Sequence, residues 1–413
     1  MTHHHSPVTP QPVNPSPPAA YDVCIVGGLG HVGLPLGLSL AAAGQRVVLY
    51  DVNQEAVVAV RAGRMPFVES GAEEVLATVL GTTLFVATDR QVIAHSHFVV
   101  IVIGTPVDEH LNPRFSIFQK FFDGIIDLIS DDQHVILRST AFPGATTRIK
   151  EHLKARGKRT RVSFCPERIA QGKAMEELHS LPQIVASFDQ EALAEAEGLF
   201  RLLTDDIVFL TPTEAELAKL FTNAWRYIQF AIANQFYQVA CQQGLDFYRI
   251  HQAITHNYPR AASFPSAGFT AGPCLFKDTM QLAACSSNNF FLGHAAMLVN
   301  EGLPNFIVQK LKERAPLADK VVGVLGMAFK ADIDDRRESL AYKLKKVLET
   351  EARQVLCSDC HICEAGFVTA EELVALAEIV IVAAPHREYA RLAFPGRTIV
   401  VDVWNFFGKG GGF

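Results

Sequence analysis

The stretch YDVCIVGGLGHVGLPLGLSLAAAGQRVVLYDVN, residues 21 to 53, restricts the fold more than any other part of the chain. Residues 22 to 26 form a short apolar run that leads into Gly28-Leu29-Gly30-His31-Val32-Gly33, a G-x-G-x-x-G turn. LPLGLSLAAAG then reads as a helix ending at Gly44, and RVVLY as a second strand closing on Asp51, 51 − 28 = 23 residues past the first glycine. A glycine-rich turn alone is common. Set in a strand, turn, helix, strand frame with an acid at that distance, it specifies a dinucleotide-binding unit. The glycines let backbone N–H groups approach a pyrophosphate at the helix N-terminus, and Asp51 can accept both ribose hydroxyls of the adenosine half. That carboxylate repels a 2′-phosphate and DVNQ supplies no arginine to offset it, so NAD is expected over NADP.

Strand and helix alternation continues through LFVATD, HFVVIVIGTP and HVILRSTAFPG to VSFCPERIAQG. Such alternation builds a parallel sheet whose ligands lie outside the C-terminal strand ends. Thr105, Ser139, Thr140 and Glu167 close these strands and are expected to ring one crevice, although each taken singly also reads as a turn cap. From 213 to 243 the pattern becomes one long helix, with Thr213 to Glu216 as a capping box and Gly244 as the stop. Leu217, Leu220, Phe221, Ala224, Trp225, Ile228, Ala231, Ile232 and Phe236 cover more than one stripe, so this helix is expected to be buried between domains or subunits. Lys219 and Asn223, four apart, share a face, either as a solvated edge or as donors aimed into a cleft. A second α/β unit follows, with KVVGVLGMAFK as strand and turn, SLAYKLKKVLETEA as helix, and RQVLCSD, AEIVIVAAPH and RTIVVDVW as strands. The expected fold class is α/β, two doubly wound Rossmann-like domains joined by a long central helix. The expected limits are a disordered tail over 1–20, an NAD-binding domain over 21–205, a central helical and dimerisation domain over 206–302, and a C-terminal domain over 303–413.

Composition excludes several function classes. With 37 Lys and Arg against 43 Asp and Glu, a net charge of −6 and no basic run, nucleic acid is not an expected partner. FVVIVIG, residues 98 to 104, is far shorter than the ~20 apolar residues a bilayer span needs, so no membrane association is expected. The first twenty residues hold six Pro and no charged side chain, and so lack the basic start and apolar middle of a signal peptide. The His3 to His5 triplet reads as a tag remnant or a chance run rather than a metal site. Eight Cys with no export signal point to reduced thiols and a cytoplasmic location. Cys357, Cys360 and His361 match C-x-x-C-H spacing and Cys363 could complete a zinc set, but a strand running into a loop explains them as well, and no metal is expected.

AGFTAGPCLFKDTM, residues 267 to 280, places Cys274 in a Gly and Pro turn just ahead of a helix, with Lys277 and Asp278 following. Together with GGLGHVGLPL, GTPVDE, RSTAFPG, CPERIAQGKA, AELAKLFTNAWR and GMAFKADIDDRRES, it resembles the UDP-glucose/GDP-mannose dehydrogenase family, NAD-dependent four-electron oxidases of nucleotide sugars, from about 21 to 405. The resemblance implies roles residue by residue. Cys274 is similar to the family's nucleophile, Lys219 and Asn223 to its donors toward developing negative charge, and Asp278 to its water-orienting carboxylate. Glu167 and Thr140 match its water and aldehyde chemistry residues. The Gly28 to Gly33 turn, Asp51, Thr105 and Ser139 are the implied cofactor contacts, and Arg168, Arg260, Gly272, Lys330 and Arg337 the implied substrate contacts. Arg260 resembles an arginine that reaches a nucleotide sugar in a neighbouring subunit, which implies a homodimer.

The chemistry agrees. Two hydride removals turn a primary alcohol into an acid, and the second needs a tetrahedral carbon, which a thiolate supplies as a thiohemiacetal. The resulting thioester must be cleaved by water, so a low-pKa thiol is expected, favoured by the helix N-terminus and a lysine. The chain departs from the family at Ala271-Gly272-Pro273, where Gly-Gly precedes the small residue and Cys, at Gln171 and Arg114, where acids are common, and in its early end at VWNFFGKGGGF. Arg168 to Gly172 follow Glu167 where UDP-glucose oxidisers carry Phe-Leu, which points to UDP-N-acetylglucosamine or UDP-N-acetylmannosamine as substrate, with UDP-glucose next. A single-hydride dehydrogenase of the 6-phosphogluconate and 3-hydroxyacid type, and a non-catalytic nucleotide-sugar binder, stay open as other classes.

Overall fold

The computed structural model describes residues 20 to 104, residue 108 and residues 115 to 410. The Pro-rich tail, Thr105 and Arg114 lie outside the described residues. Eight strands, β1 (Tyr21–Val26), β2 (Val47–Tyr50), β3 (Leu84–Ala87), β4 (Ser96–Ile101), β5 (His134–Leu137), β6 (Arg161–Phe164), β7 (Gln183–Ser187) and β8 (Ile207–Leu210), form one sheet in the order β3-β2-β1-β4-β5-β6-β7-β8. All its pairings are parallel except β6 with β7. A second sheet, wholly parallel, runs β10 (Gln354–Ser358), β9 (Val321–Leu325), β11 (Ile379–Val382), β12 (Ile399–Val401).

Both faces of the first sheet are covered, which is why its strands read as unbroken apolar runs rather than alternating ones. Successive residues of β1 enter different cores: Ile25 packs with Leu34, Leu38 and Leu49, and Cys24 with Val99, Ile101 and Phe122. The strand order reverses between β1 and β4, so the crevice at the C-terminal ends of these strands is the natural ligand position.

The central helix spans Pro212–Gln242, and Gly244 takes a left-handed φ of +68° beyond it. Its cap is Thr211, not Thr213: the Glu214 carboxylate accepts both the Thr211 backbone N–H (2.8 Å) and hydroxyl (2.7 Å), with Pro212 opening the helix. Glu216 does not cap its own helix. It is buried and accepts Gly144 N–H, Thr146 N–H and the Thr146 hydroxyl, capping the helix Ala145–Ala155. Around the expected limits, β8 carries the first sheet on to Leu210, and residue 302 lies within one continuous helix, Phe291–Arg314. The central helix is also less enclosed within one chain than its composition suggested. Leu220, Ala224, Tyr227 and Ala231 are buried against the helices Leu275–Cys285 and Phe291–Arg314, but Phe221, Trp225, Ile232 and Phe236 are 40–59% exposed.

Candidate active site

The cofactor turn links β1 to the helix Gly33–Ala42. Gly27 N–H and Gly28 N–H donate to the Tyr50 carbonyl, and a Cβ on Gly28 would lie 2.7 Å from the Ile25 carbonyl oxygen. One on Gly33 would lie 2.6 Å from the Gly27 carbonyl oxygen, so both glycines are demanded by the fold itself. Gly30 differs: the nearest atom to its Cβ would be 3.9 Å away. Nothing within the chain excludes a side chain there, so the space above Gly30 is a cradle for a group from outside. Asp51 is only partly buried. Its Oδ2 accepts Leu29 N–H at 3.0 Å and its Oδ1 accepts Asn53 N–H at 3.0 Å, leaving outward lone pairs for a ribose. Val32 precedes the first helical residue, and no side chain caps that helix, so its N-terminal N–H groups are available to a pyrophosphate. These residues fit a dinucleotide.

Cys274 precedes the first residue of the helix Leu275–Cys285; the residue keeps exposed surface, while the protein crowded around its thiol still desolvates the thiolate. One turn on, Asp278 is fully buried. Its Oδ2 accepts Asn223 Nδ2 at 2.6 Å and lies 3.5 Å from the Thr140 hydroxyl; its Oδ1 lies 3.6 Å from Lys277 Nζ and accepts no hydrogen bond. Burial pushes the Lys219 amine below its ordinary pKa, against the pull of Asp278, Cys274 and Glu167. The thiol is not acidic as expected from its helix terminus. Burial, then Asp278, raise the Cys274 pKa, and the opposing charges of Lys219, Lys277 and Arg337 do not overcome them.

Glu167 is more tightly held than sequence reasoning foresaw. Oε2 accepts both Nε and Nη2 of Arg138, and Oε1 accepts the backbone N–H of Arg168 and Ile169. Arg138, 1% exposed, also donates to Gln183 and the Cys165 carbonyl and lies over the Phe200 ring. Both oxygens are thereby engaged within the fold. Arg138 was missed, yet an arginine directly after four buried strand residues is itself a signal, since it requires a buried acid.

The remaining expected contacts divide. Ser139 turns its hydroxyl to the Ile103 carbonyl at 2.7 Å, as a turn cap does. Arg168 gives its guanidinium to the Pro182 carbonyl, and burial lowers its pKa, so this side chain is occupied within its own domain. Arg260 sits in the 3-10 turn Pro259–Ala261 with its Nε on the Tyr258 hydroxyl. Gly272, at φ +107°, donates to the Glu338 carbonyl, and a Cβ there would lie 2.6 Å from the Phe329 ring. Lys330 Nζ donates to the Gln171 carbonyl at 2.6 Å, and Arg337 forks onto Asp335. The cysteines of 357 to 363 do not converge on an ion: Cys357 is buried in β10, and Cys360 and Cys363 are exposed. Asp332, His361 and His386 do approach one another, but His386 accepts from Asp332 N–H at one ring nitrogen and faces Asp359 (3.1 Å) at the other, which leaves no lone pair for a metal. No helix among the described residues is long and apolar enough to cross a membrane.

Three models of one family match consecutive parts of the chain. The UDP-glucose/GDP-mannose dehydrogenase NAD binding domain covers residues 21–204, the central domain 213–301 and the UDP binding domain 323–409. The chain is 29% identical over 375 residues to the UDP-N-acetyl-D-mannosamine dehydrogenase of Pyrococcus horikoshii, covering 88% of this chain and 89% of that one. It is 25% identical over 389 residues to an NDP-N-acetyl-D-galactosaminuronic acid dehydrogenase of Ralstonia nicotianae, covering 89% and 91%. A solved UDP-glucose dehydrogenase from Pyrobaculum islandicum superposes with a TM-score of 0.84 at 26% identity, covering 94% of this chain and 95% of that one.

Proposed function

Because the chain belongs to the UDP-glucose/GDP-mannose dehydrogenase family and is an NAD-dependent nucleotide-sugar dehydrogenase, we propose that it oxidises C6 of UDP-N-acetylmannosamine or UDP-N-acetylglucosamine to the uronic acid, through a covalent intermediate on Cys274. The observation that supports the chemistry best is the convergence of Cys274, Asp278, Asn223, Thr140 and Lys219 at the start of one helix. NAD supplies the acceptor for two hydrides. Lys219, whose pKa burial lowers, takes the proton of the C6 hydroxyl as the first hydride leaves, and the aldehyde forms. The Cys274 sulfur adds to the aldehyde carbon, and its proton passes to the new oxyanion, which Asn223 and Lys219 stabilise. Loss of the second hydride leaves a thioester. A water oriented by the Asp278 carboxylate attacks the acyl carbon; the C–S bond breaks, one water proton passes to the sulfur, and the thiol returns. Glu167, fixed by Arg138, orders the loop beside this water.

The acetylated sugars are preferred because relatives named for N-acetylhexosamine substrates match nearly the whole chain. The occupied Arg168 guanidinium adds no weight to that choice. UDP-glucose is the second reading, favoured by the likeness to the Pyrobaculum islandicum enzyme. Turnover of a panel of UDP- and GDP-sugars, read as NADH absorbance, decides: a higher kcat/KM for UDP-glucose than for both acetylated sugars overturns the choice, and one NADH per sugar overturns the four-electron mechanism. Cys274→Ala should abolish acid formation while NAD still binds. A normal acid yield removes the covalent step. We further propose a homodimer through the exposed row Phe221, Trp225, Ile232, Phe236 and Val239. Light scattering that finds an active monomer refutes it.

A further inference from the structure

The loop that follows β6 carries Gln171, and this one residue makes two contacts of opposite polarity with the C-terminal unit. Its main-chain carbonyl accepts Lys330 Nζ at 2.6 Å, and its side-chain amide donates to Asp335 Oδ2 at 3.0 Å. Two further contacts flank the pair. Val68 N–H donates to Asp334 Oδ1 at 3.2 Å, and a Cβ on Gly172, whose φ is +79°, would lie 3.2 Å from the side chain of the buried Ile333. The cofactor turn borders the same place: His31 Nε2 lies 3.8 Å from Asp335 Oδ2, and the His31 ring rests on Phe67, next to Val68, with centroids 4.0 Å apart.

Each side of this junction is stiffened by its own unit. On the side of the first sheet, the buried Glu69 carboxylate accepts Gly172 N–H at 2.9 Å and Ala174 N–H at 2.7 Å, which ties the Val68 loop to the Gln171 loop. On the other side, Asp335 is 6% exposed, accepts the backbone N–H, Nε and Nη2 of Arg337, and receives Phe329 N–H on its main-chain carbonyl at 3.0 Å. Asp332 N–H donates to the buried His386 ring, and the Asp332 carboxylate accepts Arg387 N–H. What crosses from one stiff body to the other is therefore a short set of bonds in which Gln171 serves a cation and an anion at once. An amide does this without net charge. A carboxylate in its place would lose the donor and face Asp335 across the same 3.0 Å.

We propose that Gln171 is a positioning residue that clasps the C-terminal segment Lys330 to Asp335 to the rim of the dinucleotide turn, and that this clasp slows release of the dinucleotide. A dinucleotide on the N–H groups after Gly30 has the Asp335 segment beside it at His31, so the two units must part there before it leaves freely. The inference goes beyond the proposed substrate and depends neither on Cys274 nor on the identity of the sugar.

The test uses the full-length protein and two measurements. Hydrogen exchange of the ligand-free protein, followed by mass spectrometry, reads the contact through the peptide that contains Val68. Stopped-flow fluorescence of NADH-loaded protein mixed with excess NAD reads release without turnover. Gln171→Glu should speed exchange at Val68 by about tenfold, the weight of one hydrogen bond to a charged group, while the amides of β1 and β9 keep the parent rate. NADH release should quicken in the same variant by about threefold or more. Combining Gln171→Glu with Asp335→Asn moves the donor to the other side of the contact and should slow Val68 exchange again. Gln171→Ala, which keeps the carbonyl for Lys330 and loses the amide, should fall between the parent and Gln171→Glu, and it decides if the latter does not fold. Val68 exchange at the parent rate in both single variants overturns the clasp. Exchange that speeds up equally in β1 and β9 overturns it too, because the substitution then weakens the whole fold rather than this contact. A double variant no slower than Gln171→Glu overturns the direct pairing with Asp335. An unchanged NADH release rate beside faster Val68 exchange overturns the effect on the dinucleotide.

Discussion

The two sheets each place an acid just after the strand that flanks the first strand of the unit, Asp51 after β2 and Asp359 after β10. The surroundings differ. Asp51 is partly exposed and bound by two backbone N–H groups. Asp359 is closed off: it accepts the N–H groups of Met327, Ala328, His361 and Ile362 and meets the buried His386 ring, and these contacts hold its pKa down at about 2. The turns beside them differ likewise. In the first, Gly30 is unconstrained by its neighbours; in the second, GMAF keeps one glycine, Gly326 at φ +84°, and fills the next positions with the buried Met327 and Ala328. The same topology therefore yields one acid reserved for a ligand and one spent on the fold. What separates them is how many donors of the chain itself reach the carboxylate.

The largest effect should come from Asp359→Ala, which strands several buried donors. A loss on the order of 3–5 kcal/mol of stability is expected in urea unfolding, and a variant as stable as the parent would erase the contrast. Asp51→Ala should do the reverse, leaving the ligand-free melting temperature nearly unchanged while NAD binding weakens by about 2 kcal/mol. Calorimetric titration with NAD measures it, and an unchanged dissociation constant would make Asp51 a strand end and nothing more. Within the first turn, Gly30→Ala should weaken NAD about tenfold with less than about 1 kcal/mol lost from the free protein, because only a ligand meets the added methyl. Gly28→Ala should destabilise the free protein, since its Cβ has no room.

Acid gives the smallest and most graded contrast. Burial lowers the His31 pKa from 6.5 to about 4, so the folded state binds its proton less readily than the unfolded chain does. Its contribution is whole above pH 6.5 and is lost as the pH falls toward 4. The Asp359 contribution is whole above 3.8 and is lost only as the pH falls toward about 2. Hydrogen exchange at pH 4.5 should accordingly speed up around residues 28 to 35 before it does around 357 to 362. The opposite order would contradict the difference in burial.

How much of this was legible in the chain depended on how local the cause was. The glycine turn and Asp51 showed through their spacing in a strand, turn, helix, strand frame, and the thiol turn through its likeness to a family motif. The cap of the central helix was ambiguous, because Thr211 to Glu214 and Thr213 to Glu216 both match the same pattern, and only the contact of Glu216 with Gly144 and Thr146 chooses between them. The Arg138 grip on Glu167 spans 29 residues and the Asp335 contact with Gln171 spans 164, so no local pattern announces either. The thiol pKa was misjudged for the same reason: helix terminus and lysine are visible in sequence, whereas burial of the sulfur beside Asp278 is a product of the assembled site.

The central helix carries a restriction of its own. Asn223 on it meets Asp278, and 234 − 223 = 11 residues further on Asn234 pairs with both backbone groups of Gly268 and with Asn300. An unbroken helix turns by about 100° and advances about 1.5 Å per residue, so these two appointments are kept only by one count of residues between them. Removing or inserting a single position there would swing the far end a quarter turn away from Gly268 and carry the exposed row of Phe236 and Val239 around with it. A lineage of such chains can exchange side chains along this rod but cannot change its length, and alignments of its descendants should show gaps everywhere before they show one here.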